Sequence, residues 1–372
     1  MLFEKILFGY GNSTIDILDS KNPDNPYQDM MKPGGIMNVA KGWKVLSQLQ
    51  RKTPVKIYMV GYWGSDEYSE VIKTAIEKDG FDTKFFRRLP NSESRVYRID
   101  LTNSEAPDIQ RFKEGEMLQS TPNMDIIPFL TKRSLLFTQS FSKYLESPQA
   151  EETIQTYAIA RGLDAETAND FNIRQASLDV IQGKGKAVSP TEVEERQRMM
   201  ISRKESGLRQ LTILKLNEVE AKVLMDDFRT EKSLKEITVE ESELPKMADS
   251  IMSTYDKLRM LAITNGKNGG YFMTRDYARP YKAVILGNPI NSLGCGDGFS
   301  AAMTFGRVVR LYDAEIAALA PIFAAFYTQV SSGYPDHLTP NLIEKAILDN
   351  TQFCKDMSAD SNNILVKLKN PI

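Results

Sequence analysis

The chain has 372 residues, 41% hydrophobic and 26% charged, enough to bury the core of one large α/β domain or two smaller ones. A formal net charge of -2 excludes a global basic field for nucleic acid or for an anionic membrane surface. Two cysteines, Cys295 and Cys354, exclude a disulfide framework, and a single histidine excludes a two-histidine metal site. A reducing compartment, the cytoplasm, is the expected location, and His337 is expected in a surface loop.

The start, MLFEKILFGYG, carries Glu4 and Lys5 inside a short apolar stretch and reads as a first strand over Lys5–Gly9, not as a signal peptide. A second short strand follows at Thr14–Leu18. Gly9-Tyr10-Gly11 is no dinucleotide fingerprint, because the third glycine is missing and a strand follows where a helix is needed. After a polar loop with Pro23, Pro26 and Pro33 comes Gly34-Gly35, then a helix with Val39, Trp43, Leu46 and Leu49 on one apolar face. Val55–Gly61 reads as a strand and Glu67–Asp79 as a helix closed by Gly80. This alternation predicts a mostly parallel sheet covered by helices.

Over Ser94–Gln119 the pattern changes to short alternating stretches, 96–101 and 109–112, which read as half-exposed antiparallel strands of a small separate sheet. The α/β rhythm resumes with Ser134–Thr138 and a helix over Pro148–Arg161. Ala165–Asn169, in contrast, lacks a hydrophobic strand pattern. Residues 183–207 alternate in charge and read as a solvated helix or mobile insertion. Leu211–Leu216 is a strand leading into a helix to Asp227, and Met260–Thr264 another strand before a Gly-rich turn. Tyr271–Thr274 and Tyr281–Leu286 suggest a hairpin-like excursion. Ile316–Tyr327, with Pro321 inside, is too short to span a bilayer and reads as a buried helix.

The chemistry concentrates in Asn291–Phe299. Gly294, Gly296 and Gly298 let the backbone turn tightly before an apolar-periodic helix, whose N-terminal dipole and amides favour an anion. Asp297 in the same turn has a reference pKa of about 3.9 and can accept a proton. A phosphate cradle with a built-in base suggests phosphoryl transfer to a hydroxyl. The run resembles the C-terminal signature of the ribokinase-like (PfkB-type) carbohydrate kinases, Asp-Thr-x-Gly-Ala-Gly-Asp-x-Phe. Gly34-Gly35 with Asn38 resembles that family's N-terminal signature, and Asp16 falls where the family carries an acid that binds substrate hydroxyls. Asp170-Phe171-Asn172-Ile173-Arg174 resembles the Asp-x-Asn-x-Arg element of the fructokinase and ketodeoxygluconate kinase branches. Asn217-Glu218-Val219-Glu220 resembles the Asn-x-x-Glu motif, and Thr264–Gly269 the strand-end turn at the nucleotide.

The resemblance implies one ribokinase-like, three-layer α/β kinase domain over 1–372. Its central sheet would be mostly parallel, with a small antiparallel β lid from strands within roughly 12–33 and 94–119. It further implies ATP and Mg²⁺ as cofactors and transfer to a hydroxyl of a sugar or sugar acid, with Asp297 as general base. Gly294, Cys295 and Gly296 would supply amides to the moving phosphoryl group. Asp16, Gly34, Gly35, Asn38 and Arg174 would bind the acceptor, and Arg174 would favour a sugar acid. Asn217, Glu220, Thr264, Gly266 and Gly269 would serve the nucleotide, with Glu220 touching the metal through water. Asn291 stands where the family has Asp, which argues against potassium activation and raises a degenerate, non-catalytic binding protein as one alternative. A nucleoside kinase of the same fold is the other. No nucleic-acid or membrane partner is expected, and a second copy is expected to pair with the exposed strand edges of the lid.

Overall fold

The computed structural model describes residues 5–10, 14–19, 30–51, 54–100, 108–113, 124–139, 149–173, 175, 178–179, 182, 189–230, 232–330 and 333–371. The chain divides into two compact units. The first comprises Met1–Ile126, Arg133–Phe137 and Ala283–Ile372, the second Ile127–Lys132 and Thr138–Lys282.

The first unit carries Ile6–Tyr10 (β1), Thr14–Asp19 (β2), Met30–Pro33 (β3), Lys56–Trp63 (β4), Asp82–Arg88 (β5), Arg95–Asp100 (β6) and Asp108–Lys113 (β7). Strands β1, β4 and β5 pair in parallel, with Phe8 opposite Tyr58 and Val60 opposite Phe85. Inner parallel strands are buried on both faces and read as apolar runs, whereas the edge strand β5 buries only Phe85 and Phe86. Phe8 and Tyr58 stack at 5.6 Å between centroids, and Phe85 meets Tyr58 at 5.4 Å. The helix Ile36–Ser47 buries Val39, Trp43 and Leu46 of the predicted stripe, and Leu49, also buried, lies in the turn just past its end. Each such side chain contributes about 1.5–3 kcal/mol by leaving water. Trp43 also donates to Thr304 Oγ1 at 2.9 Å, so its polar edge ties this helix to Cys295–Val308. Glu67–Asp79 ends as predicted at Gly80, which adopts φ 62° and returns its N–H to the last turn. Asp313–Tyr327 is buried on nearly every side, with Pro321 inside.

A second sheet in this unit has the order β3-β2-β6-β7. Its outer pairs are antiparallel, whereas β2 and β6 run parallel, Asp16 opposite Tyr97. The parallel pair is permitted because more than a crossover's length of chain separates the two strands. As an inner strand, β6 buries Val96, Tyr97 and Ile99 and leaves Arg98 exposed.

The chain passes to the second unit within Ser134–Gln139 (β8). There Glu166–Asp170 (β9), Ile213–Asn217 (β10), Met260–Thr264 (β11), Gly270–Thr274 (β12) and Ala278–Tyr281 (β13) form a sheet in that order. The first three are parallel and the last two antiparallel. Two expectations need correction. Residues 282–286 are not a strand; the hairpin's second arm is Ala278–Tyr281. And 166–170 is a buried strand despite its polar sequence. Several of its polar groups are satisfied internally: Thr167 exchanges bonds with Thr212, and Asn169 Nδ2 donates to Thr138 Oγ1 at 2.7 Å. Asp170 pairs with Lys215 at 3.2 Å. A buried polar strand is stable when its groups find partners, which hydrophobicity cannot report. Within 183–207 the described residues are mostly helix, Pro190–Leu208, capped by a reciprocal Ser189–Glu192 box.

Among the described residues no helix is long and apolar enough to cross a membrane. His337 is exposed, as expected.

Candidate active site

In the first unit, the helix Cys295–Val308 starts from Gly294, whose φ of 79° is left-handed. A Cβ there would lie 2.0 Å from the Gly333 carbonyl oxygen, so both the backbone angle and the close approach require glycine. Asn291 shapes the approach to this turn: buried, it accepts the Leu293 N–H on Oδ1 at 2.8 Å. An amide oxygen serves for that bond as well as a carboxylate oxygen would. The helix has no side-chain N-cap, and its first-turn amides precede any intrahelical acceptor. Cys295, Gly296 and Asp297 therefore stand where the dipole favours negative charge, the Cys295 N–H already donating to the Ser292 carbonyl at 3.2 Å. Asp297 is half-buried.

The Gly34-Gly35 turn approaches from the other end of the sequence. A Cβ on Gly34 would sit 2.0 Å from Asp16 Oδ2, so the missing side chain lets this backbone lie directly on the buried Asp16 carboxylate. Gly35 takes φ 59° and opens the helix Ile36–Ser47, again without a side-chain cap. One turn in, the buried Asn38 donates from Nδ2 to Asp297 Oδ2 at 2.8 Å. The residue expected to bind sugar is thus bonded to the expected base, 259 positions away. Asp16, Gly34, Gly35, Asn38 and the turn Gly294–Asp297 form one connected group.

Tyr327 escaped sequence reading because it closes an apolar run. It is fully buried, and its hydroxyl donates to the Asn38 carbonyl at 3.2 Å. Burial raises its phenol pKa far above the ordinary value, with the charges at Tyr334, Asp297 and Cys295 adding, so the group remains a donor. Tyr334 meets its ring edge-on at 5.6 Å and donates to the Lys41 carbonyl at 3.3 Å. The available signal was in the glycines: a Cβ on Gly298 would stand 2.5 Å from the Tyr327 ring, and one on Gly42 2.9 Å from its hydroxyl.

In the second unit the residues expected at the nucleotide lie at adjacent strand ends, Asn217 opposite Thr264 in register. These are C-terminal ends of parallel strands, where open α/β sheets bind ligands. Asn217 and Glu220 form a reciprocal capping box at the helix Glu218–Met225. Glu220 is buried, its Oε2 accepting the Asn217 N–H at 2.7 Å and its Oε1 the Ile173 N–H at 3.0 Å. Burial also raises the pKa of Glu218 next to it, with Lys215 opposing. Thr264 Oγ1 donates to the Leu216 carbonyl at 3.3 Å. Gly266 has φ 49°, and Gly269 has φ 93° with the Tyr281 carbonyl oxygen 1.9 Å from where a Cβ would be. The Gly-rich turn thus has a packing reason of its own. Arg174 lies outside the described residues. Among the described residues no cluster of three or more acidic, histidine or cysteine side chains could hold a metal alone.

The sequence profile described as pfkB family carbohydrate kinase matches residues 13–340. The chain belongs to the pfkB family of carbohydrate kinases. Among curated proteins none is similar enough to count as a match. This pfkB-family chain is similar in structure to fructokinase from Vibrio cholerae O395, in its form with fructose, ADP and calcium ion bound. The TM-score is 0.67 at 16% identity, over 92% of this chain and 98% of that one. It is similar to Burkholderia thailandensis nucleoside kinase in complex with inosine, with TM-score 0.63 and 17% identity over 91% and 96%. An uncharacterized sugar kinase from Pyrococcus horikoshii in complex with ATP gives 0.63 and 20% over 90% and 96%. The pfkB kinase therefore has the ribokinase-like α/β fold, with a mostly parallel sheet and helices on both sides, and is a phosphotransferase.

Proposed function

We propose that this pfkB-family kinase transfers a phosphoryl group from ATP to a hydroxyl of a sugar or sugar acid, with Asp297 as general base and both units parts of one kinase domain. The observation that carries the reading is the Asn38–Asp297 hydrogen bond, which gathers both glycine turns and the Asp16 carboxylate around one acid at a helix N-terminus.

Asp297 takes the proton from the acceptor hydroxyl as that oxygen attacks. The amides of Gly294–Asp297 stabilise negative charge on the passing phosphoryl group. Asp16, an acceptor-only carboxylate, orients the polyol by taking its O–H bonds, with the bare backbone of Gly34 and Gly35 alongside. The small sheet excludes water, the competing acceptor.

Magnesium accompanies nucleotide phosphates with several of its own waters and needs few protein ligands. An absence of preformed acidic clusters among the described residues fits that habit. Because both Glu220 oxygens accept backbone N–H groups, its part is to hold the β10 end in shape and to meet the ion only through water. When bound, the ion neutralises charge on the phosphates. The outer strands of the small sheet are the edges with which a second copy would pair.

An ATP-consumption screen over sugars, sugar acids and nucleosides tests the reading. One acceptor of the first two classes should support turnover, and Asp297→Asn should lower kcat by roughly 10²–10⁴. Turnover restricted to nucleosides would move the assignment to the nucleoside kinases of this fold. Undiminished turnover in the variant would remove Asp297 as base.

A further inference from the structure

Tyr327 has no place in the chemistry above, yet its hydroxyl is bonded to the backbone of the residue that holds the base. A phenylalanine would fill the same space between the helices. The oxygen's one hydrogen bond among the described residues goes to the Asn38 carbonyl, and a Cβ on Gly42 would stand 2.9 Å from it and 2.7 Å from the Ala301 Cβ. Gly298 adjoins Asp297 in sequence and lies against the ring, while Gly42 stands one helical turn after Asn38 and lies against the hydroxyl. Tyr334 supports the ring edge-on and is itself tied to the Lys41 carbonyl. The tyrosine therefore joins the turn that holds the base to the turn that holds the amide bonded to that base.

We propose that Tyr327 is a positioning residue for Asp297, acting through Asn38: its hydroxyl fixes the Asn38 backbone, and the Asn38 side-chain amide fixes the rotation of the Asp297 carboxylate. The inference rests on the kinase reading of Asp297. It gives Asn38 a duty toward the base, beyond the acceptor-binding role read from the sequence. A carboxylate held by a neutral N–H donor keeps its charge, and its orientation no longer depends on the acceptor being present.

Kinetics of Tyr327→Phe, Asn38→Ala and the double variant test it, with the acceptor found in the screen. Loss of a hydrogen bond to the charged base in Asn38→Ala should lower kcat roughly ten- to a hundredfold. Loss of the neutral bond in Tyr327→Phe should lower it about three- to tenfold, with acceptor KM within about twofold of the parent. Since both act on one carboxylate, the double variant should be no slower than Asn38→Ala alone. Multiplicative losses, or a change confined to KM, would overturn the proposal, because a merely structural tyrosine or a pure acceptor ligand behaves in those ways. If no acceptor is turned over by the parent protein, the kinase reading fails separately. The linkage is then judged by NMR of the Asn38 side-chain amide, whose protected resonance should shift in both Asp297→Asn and Tyr327→Phe; no shift in either rejects it.

Discussion

Gly294→Ala is the sharpest perturbation of the anion turn, because two separate costs can be worked out and one can be measured elsewhere. At φ 79° an L-residue pays roughly 1–2 kcal/mol for the left-handed conformation. The new Cβ would also stand 2.0 Å from the Gly333 carbonyl oxygen, a backbone atom that cannot rotate aside, and such overpacking costs about 1–3 kcal/mol. The sum is roughly 2–5 kcal/mol. Gly80→Ala supplies the control. It has φ 62° and nothing within 4 Å of where the methyl would stand, so it carries the backbone cost alone. Urea unfolding of parent, Gly80→Ala and Gly294→Ala should give midpoints falling in that order, and phosphoryl transfer should fail in Gly294→Ala while surviving in Gly80→Ala. Equal midpoints for the two variants would show that the segment at Gly333 yields without cost, and the rigid anion turn would lose its support.

The other predictions concern groups outside the reacting centre. Lys5 is buried, and burial, with Arg133 and Arg310 adding, lowers its ammonium pKa from 10.5 to about 8. Below pH 8 the amine is charged in both states and its penalty on the fold is complete; between about 8 and 10.5 the folded form sheds the proton while the unfolded chain keeps it. The Lys5 contribution should therefore rise over that interval, and Lys5→Met should raise the thermal midpoint at pH 7 with a gain that shrinks from pH 8 to 10.5; a difference between parent and variant that stays constant over that interval contradicts the assignment. Asn217→Ala removes the capping acceptor of Glu218–Met225 and should cost about 1 kcal/mol in denaturant titrations. If Asn217 also serves the nucleotide, KM for ATP should rise in the same variant; an unchanged KM leaves it a cap alone.

Much of the first unit was legible because its signals are local. Val39, Trp43 and Leu46 repeat at helical spacing, Gly80 marks a helix end, and Gly294–Gly298 marks a turn that only glycine permits. The strand Glu166–Asp170 was not legible, since what stabilises it is a set of polar partners at Thr138, Thr212 and Lys215, known only once the chain has folded. Tyr327 was hidden for a related reason. Among Ala, Ile and Phe it counts as one more apolar residue, and its role depends on a carbonyl 289 positions away. The same limit affects the Gly-rich turn after Thr264: sequence shows that glycine is needed at Gly269 but not that the Tyr281 carbonyl is the reason.

Helix starts in this chain are built in different ways. Ser189, Asn217, Thr339 and Asp360 each cap a helix with a side-chain oxygen, occupying an amide that would otherwise seek a partner. The two helices linked by the Asn38–Asp297 bond instead begin at Gly35 and Gly294, with φ of 59° and 79° and no side-chain cap. Glycine at such a start forgoes only about a few tenths of a kcal/mol of capping for each helix relative to Ser, Thr, Asn or Asp. A missing side-chain cap is shared with Glu67–Asp79, Leu244–Thr254 and Asp313–Tyr327, so what sets these two starts apart is a positive-φ glycine at each and their meeting at one carboxylate. The cost is offset locally: Asn291 stabilises the approach to one turn, while Tyr327 and Tyr334 brace the first turns of the other helix. These bonds take the Leu293 N–H and the Asn38 and Lys41 carbonyls, so both turns are braced from outside their first-turn amides.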